Sequence, residues 1–315
     1  MPHLGVRPGS SLRLSPSLTL ALIPFSLSLL CSAMQALEDY KILMQQPEPD
    51  LLKGAVLIAR HRHPMVEYQQ IKDIIDDLAE QIKPRLPESR YPLKMIHAIS
   101  EYLYQNRKFR GNQEAFYDPD NSCINCVLEK RLGIPLTLSL LYMEVAARCD
   151  FPLHGVNVPG HFLLTPADPD LEFFIDAFEG GKVAFIDDAA ATLEKIYGRK
   201  VKLDSGFLHR TEQIPARIFF TRMLNNLKGI YAVKKDYDAA LQVSKYLRAT
   251  RPGDIDEVRE YGFILWHLKR YNECEDALRE YLERAPYDDK DVAKVQKLLN
   301  VLRAGPEEAS YSDED

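Results

Sequence analysis

The strongest candidate for chemistry in this sequence is an imidazole and a carboxylate that meet across a β-hairpin. Residues 156–165 and 171–178 read as strands, because apolar residues alternate or run through both. The segment between them, Pro166-Ala-Asp-Pro-Asp170, is rich in turn formers. With the loop centred between Asp168 and Pro169, His161 and Asp176 become opposed neighbours on one face, their Cβ atoms about 5 Å apart. A carboxylate so placed orients an imidazole and supports its charge, as a general base serving a nucleophile requires. A register slip of one residue would separate the two.

A nucleophile is harder to find. Ser139 and Thr137 fall in the first turns of the helix that Pro135 opens, where the helix dipole favours an anion. Cys126 stands nine residues upstream of Pro135 on a different helix, so Cys126 and Ser139 are the weak nucleophile candidates. Cys149 lies at the far end of the Pro135 helix, about 20 Å from its start at 1.5 Å per residue, and reads as a small apolar core residue. Cys123-x-x-Cys126 has redox or zinc-knuckle spacing but no second such pair. Zinc would need two more ligands, from among His61, His63 and His154, and no metal ligand is assigned. Arg60-His-Arg-His63 reads as a solvated helix end, and Asp118-x-Asp120 lacks the glycine and distal glutamate of a calcium loop. Gly180-Gly181 lacks the Lys-Ser/Thr of a phosphate loop, and no other cofactor motif appears, so no cofactor is expected.

Several elements must hold these groups in place. Residues 51–59, 63–79 and 91–104 read as amphipathic helices. Asn121 or Ser122 can cap a short helix that ends at Gly133. Pro135 then suits the first turn of the next helix, where its missing N–H costs nothing. That helix, to about Cys149, is apolar on nearly every face, the pattern of a buried helix.

A repeat follows. Leu227 and Tyr261, Tyr231 and Leu265, Tyr237 and Tyr271, Ala240 and Cys274, Leu247 and Tyr281, and Pro252 and Pro286 are each 34 residues apart, the tetratricopeptide period. Small residues at Ala240 and Gly262 let paired helices approach, and Pro252 and Pro286 close each second helix. Two repeats are few for a self-supporting stack, so an amphipathic cap over residues 291–302 and support from the preceding domain are expected.

The ends differ from the middle. Residues 1–37 carry no acid, two arginines (Arg7 and Arg13) and many serines, the composition of a plastid or mitochondrial transit peptide. A secretory signal ending near Cys31-Ser32-Ala33, or translation starting at Met34 in a cytoplasmic protein, are the alternatives. The apolar stretch here is too short and serine-broken to span a membrane, so no integral membrane association is expected. Beyond residue 302 the chain turns acidic, as a solvated tail would. With 40 basic and 46 acidic residues the net charge is −6, which removes the electrostatic footprint of a nucleic-acid binder. Five cysteines are too few, and odd in number, for a disulfide scaffold.

Three blocks carry a resemblance. They are Asn125-x-Val-Leu-x-x-Arg131-x-Gly133-Ile-Pro135-Leu-x-Leu-Ser139-x-Leu-Tyr142, Gly155-Val-Asn-Val-Pro159-Gly160-His161-Phe162-Leu163, and Phe174-Ile-Asp176-Ala-Phe-x-Gly180-Gly181. Together they resemble the transglutaminase-like N-terminal domain of the SirB family, whose usual architecture continues into tetratricopeptide repeats. The resemblance implies an α+β fold: a cysteine-protease/transglutaminase-like helical domain with a small antiparallel sheet, followed by an all-α tetratricopeptide array. The expected boundaries are 1–37 (targeting or disordered), 38–210 (transglutaminase-like), 218–302 (repeats and cap) and 303–315 (acidic tail). In the wider superfamily a Cys opening the buried helix attacks an amide, helped by a His and an Asp on the following strands. His161 and Asp176 match the last two roles, whereas the Cys position reads Gly133-Ile134-Pro135. The expectation is therefore a degenerate active-site fold that binds a protein or peptide without turnover. Asn125, Arg131, Tyr142 and Pro159 would serve the cleft, and Tyr231 and Tyr261 the concave repeat surface. The alternative is an amide hydrolase or acyl transferase with a relocated nucleophile.

Overall fold

The computed structural model describes residues 25–158, 160–185, 194, 214–286 and 289–304. Helices α1 (Phe25–Leu43), α2 (Leu51–Ala59), α3 (Tyr68–Ile82) and α4 (Pro92–Ser100) come first. A π-helical turn, Glu101–Asn106, continues α4. The two-residue strand β1 (Arg110–Gly111), a 3₁₀ turn (Pro119–Ser122), α5 (Ile124–Lys130), β2 (Leu132–Gly133) and α6 (Pro135–Arg148) follow. Strands β1 and β2 pair in parallel. A four-stranded antiparallel sheet in the order β3-β4-β5-β6 is then built from Leu153–Val158, His161–Pro166, Phe174–Asp176 and Lys182–Ala184.

Helix α6 is the centre of the first domain. Proline occupies its first turn, and the Thr137 hydroxyl, 3.2 Å from the Ile134 amide, also donates to the Asn121 carbonyl at 2.6 Å. That bond ties the 3₁₀ turn to the helix start. Leu140, Val145 and Ala146 are fully buried, as expected of a helix apolar on all faces. Helix α6 packs against α3 and against β4.

Two strand expectations need correction. Residues 156–165 are not one strand but two, because Val158 pairs with His161 across a tight turn. Gly160 has φ 75°, a left-handed conformation that glycine adopts freely, and it breaks the run. Pro159, expected in the cleft, lies outside the described residues. The β4–β5 register pairs Leu164 with Ile175, two residues away from the pairing that would oppose His161 and Asp176. Side chains alternate with period two, so a two-residue offset leaves both on the same face as diagonal neighbours.

The repeats are α7 (Ala216–Val233) with α8 (Tyr237–Thr250), and α9 (Ile255–His267) with α10 (Tyr271–Arg284), capped by α11 (Val292–Ala304). Helices α8 and α10 begin and end 34 residues apart. A Cβ on Gly262 would lie 2.6 Å from Leu278 Cδ2, so the close approach inferred from the small residue is real. The first repeat shares the core of the preceding domain through Leu227, Tyr231, Tyr246 and Leu247, which pack with residues of α1 and α2. The second repeat forms its own cluster with α11 around Leu265, Leu278, Tyr281 and Leu298.

The expected boundary at residue 37 differs from the structure. Ala36 and Tyr40 are fully buried, and Tyr40 Oη lies 2.8 Å from Thr250 Oγ1. Ser32 Oγ donates to the Pro64 carbonyl at 2.8 Å and accepts from Arg60. At least from Ser32 onward, this segment is part of the fold. Residues 1–24, most of 186–213 and the acidic tail from 305 lie outside the described residues, as does the expected edge at 210. Among the described residues no helix is long and apolar enough to cross a membrane.

Candidate functional site

His161 opens β4 and Asp176 closes β5, and their side chains meet: Nε2 is 2.7 Å from Asp176 Oδ2, with both residues buried. The other carboxylate oxygen accepts from the backbone amides of Phe178 (3.0 Å) and Glu179 (3.1 Å). Asp176 is therefore clamped by the turn that follows it, and it fixes the ring through one nitrogen. Its own carbonyl accepts from the Gly181 amide at 2.8 Å, and the Tyr104 hydroxyl donates to the Ala177 carbonyl at 2.7 Å. Gly180 and Gly181 have φ 73° and 75°. They close this turn, which accounts for the double glycine without any phosphate-binding role.

The ring nitrogen Nδ1 points away from the carboxylate, the position from which a base would serve a nucleophile. Among the described residues no thiol or hydroxyl is hydrogen-bonded to the His161 ring. Pro135 occupies the start of α6. Ser139 is fully buried and its Oγ has no hydrogen-bond partner. Cys126 is turned to a different imidazole, with Sγ 3.2 Å from His63 Nε2. Burial, reinforced by the charge of Asp120, pushes its thiol up to about 11, opposite to the activation a nucleophile needs. Burial also raises the Cys123 thiol. Neither candidate nucleophile joins the dyad.

The other expected binding residues divide. Tyr142 is a core residue whose hydroxyl lies 2.9 Å from Ser100 Oγ and donates to the Ile96 carbonyl. Arg131 is exposed with φ 61° and ends α5, its carbonyl accepting from the Arg110 amide at 2.9 Å. Neither reaches the cleft, because both are needed for local chain geometry. Asn125 reaches Cys126, with Nδ2 3.4 Å from Sγ. Tyr231 is 1% exposed and its hydroxyl is spent on His61, so it cannot meet a partner. Tyr261 lies under the Arg248 guanidinium at 4.8 Å and lines a cavity of about 850 Å³ between α1 and the repeats. Among the described residues, neither His61 nor His154 enters a group of side chains able to hold a metal. The grouping that does form is His63, Asp120 and Cys126.

Beside the start of α6 runs a groove not anticipated from the sequence. One cavity, about 600 Å³, is lined by Pro135, Asn157, Gly160 and Arg222 together with Phe116 and Tyr117. It shares Phe116, Tyr117, Ile134 and Asn226 with a second, about 470 Å³, that continues along α7 past Gly229 and Ile230 to Val233. Tyr117 is 74% and Val233 86% exposed, so large apolar side chains face solvent along its rim. Arg222 frames the inner end, donating to Asn157 Oδ1 and to the Val158 carbonyl. Phe116 links groove and dyad, since its ring stacks edge-on against Phe178, whose ring stands edge-on to His161.

A helical domain with a His–Asp pair on adjacent antiparallel strands beside a buried helix, followed by two 34-residue helical pairs, defines a transglutaminase-like domain joined to tetratricopeptide repeats. The transglutaminase-like superfamily profile matches residues 69–225, and a tetratricopeptide-repeat profile matches residues 227–300. The UPF0162 protein of Xylella fastidiosa (strain 9a5c) is 30% identical over 237 residues, covering 75% of this chain and 84% of that protein. The UPF0162 protein of Pseudomonas aeruginosa is 28% identical over 244 residues, 77% of this chain and 86% of the other. F-box only protein 21 of Homo sapiens is 32% identical over 179 residues, 46% of this chain and 28% of that protein. This chain belongs to the UPF0162, or SirB-like, family. No solved structure matches it significantly.

Proposed function

We propose that this protein is an interaction module in which a transglutaminase-like domain and a tetratricopeptide array bind a protein or peptide partner without turning it over. One observation carries the reading. The imidazole and carboxylate keep their geometry, with Nε2 2.7 Å from Asp176 Oδ2, while the helix start beside them holds a proline and, among the described residues, no nucleophile is hydrogen-bonded to the ring. A base without a nucleophile performs no acyl transfer through a covalent intermediate. The apolar groove past that helix start supplies the binding surface, with Phe116, Tyr117 and Val233 as anchors. Large aromatic side chains on a groove rim are the usual energetic anchors of interfaces. The occurrence of a related segment within the much longer F-box only protein 21 supports use of this domain as one module among others.

The test is labelling of the native full chain with an amide- or ester-based acylating probe, read by mass spectrometry. The expected result is no acyl adduct that depends on His161. An adduct on Cys126 or Ser139 that disappears in His161→Ala would overturn the reading and establish a relocated nucleophile. We also propose a plastid location, on the acid-free, serine-rich composition of residues 1–37, of which only the stretch before Ser32 would be removed because the fold holds Ser32 onward. The N-terminal residue of the mature protein tests this: a mature chain that begins at Met34 would overturn the plastid reading, and the compartment it is isolated from then separates translation starting at Met34 from signal-peptide cleavage after Ala33.

A further inference from the structure

Three motifs with no role in the His–Asp site converge on one point. His63 comes from the loop after α2, Asp120 from the 3₁₀ turn, and Cys126 from α5. Cys126 Sγ lies 3.2 Å and Asp120 Oδ1 3.3 Å from the same nitrogen, Nε2 of His63. All three donor atoms lie within 4.8 Å of one another.

Hydrogen bonding alone accounts poorly for this convergence. A single ring nitrogen carries at most one proton, and that proton can serve the sulfur or the carboxylate well, not both. A cation at the common centre serves all three. In a tetrahedral zinc site, metal–ligand distances of about 2.0–2.3 Å put neighbouring nitrogen, oxygen and sulfur donors roughly 3.4–3.6 Å apart. The two edges that meet at His63 are within a few tenths of an ångström of that. The donor set is also the right one: thiolate, imidazole and carboxylate together suit a borderline-soft divalent ion and not magnesium or calcium.

Two surrounding features bear on the site. Asp120 is held by Arg62 at 2.8 Å and by Lys130 at 2.5 Å, which fixes the carboxylate but also places two cations near a third. The amide of Asn125 touches the sulfur, yet its Oδ1 is buried and has no hydrogen-bond partner. A half-turn of that amide would bring an oxygen to the edge of the cluster. The His63 side chain is 29% exposed, so the site opens to solvent on one side.

We propose that His63, Asp120 and Cys126 bind a zinc-like divalent transition-metal ion, leaving one coordination position open to water or to the Asn125 amide. Because Arg62 and Lys130 oppose the incoming charge, the expected affinity is micromolar, below that of four-ligand structural zinc sites. The experiment is titration of the reduced, chelator-treated full chain with Co²⁺, followed by Zn²⁺. Expected are one equivalent of bound cobalt, a thiolate-to-cobalt charge-transfer band, tetrahedral visible bands, and displacement of both by zinc. The charge-transfer band should vanish in Cys126→Ser and persist in Cys149→Ser, and His63→Gln should weaken binding at least tenfold. No thiolate–cobalt band in the wild-type chain, or a band that survives in both Cys126→Ser and His63→Gln, would mean a hydrogen-bonded trio only. The wild-type titration decides against the proposal even if a variant fails to fold.

Discussion

His61 Nε2 lies 2.7 Å from the Tyr231 hydroxyl, across 170 positions of sequence, and this bond joins the transglutaminase-like domain to the first repeat helix. The other ring nitrogen, Nδ1, lies 2.6 Å from the Ile58 carbonyl. A carbonyl only accepts, so Nδ1 carries the proton and Nε2 accepts from the tyrosine in the neutral ring. Protonating the ring would turn that acceptor into a donor.

Burial accordingly lowers the His61 pKa to about 4. Between pH 6.5 and pH 4 the unfolded chain binds a proton that the folded one refuses, so stability is complete above pH 6.5 and falls as the pH drops toward 4. The loss from this one group is on the order of 2 kcal/mol, after allowance for the partial exposure of the ring. Urea unfolding at several pH values measures it. His61→Phe should flatten the fall below pH 6.5. Tyr231→Phe should cost about 1 kcal/mol at pH 7.5. In the double variant the two effects should be non-additive, because they share one bond.

Asp176 performs two tasks, and substitutions separate them. Asparagine keeps an oxygen for the Phe178 and Glu179 amides but removes the charge facing His161. Alanine removes both. Asp176→Asn should therefore destabilise by roughly 1 kcal/mol and Asp176→Ala by about 2–4 kcal/mol, since the latter also leaves two amides without their acceptor. Equal costs for the two variants would mean that the turn does not depend on this side chain.

The glycine pair after it offers a sharper contrast. Both have positive φ, but a Cβ on Gly180 meets nothing within 4 Å, whereas one on Gly181 would lie 2.1 Å from Ser100 Oγ and 2.8 Å from its Cβ. Gly180→Ala should cost about 1–2 kcal/mol from backbone strain alone. Gly181→Ala should cost that plus a clash with α4 worth another 1–3 kcal/mol. Chemical denaturation of the two variants side by side gives the difference.

How far the sequence revealed this arrangement depends on the range of the interaction. The 34-residue spacing of the repeats is legible in the sequence, because it is a local pattern that each helical pair restates. The start of α6 was legible too, since proline in a first turn has few other uses. The His161–Asp176 contact follows from the hairpin even though its register differs by two residues from the one the loop suggests, because a two-residue offset preserves the face. The turn at Gly160 is masked in the sequence, because the apolar run from Val156 continues past it. The sequence pattern puts Tyr231 on the concave repeat surface, and its burial against His61 is not visible there because that partner is remote in sequence. The grouping of His63 with Asp120 and Cys126 was beyond the pattern for the same reason, as three separate elements bring it together.

Gly229 gives the groove its own test. It sits inside α7 with open space where a Cβ would be, and it lines the groove together with Ile230 and Val233. A glycine within a helix costs about 0.5–1 kcal/mol relative to alanine, chiefly in backbone entropy. Gly229→Ala should therefore raise stability by about that amount, measured as a shift in the urea midpoint without a change in slope. A larger side chain there leaves the helix through that open position and extends into the channel that a bound segment needs. If the groove is where a partner docks, photo-crosslinking from a benzoylphenylalanine placed at Tyr117 should capture the partner in the parent chain and fail in Gly229→Phe, while both fold with similar stability. Undiminished crosslinking in Gly229→Phe would place the partner elsewhere on the molecule, with the cavity between α1 and the repeats, beside Arg248 and Tyr261, as the next surface to probe.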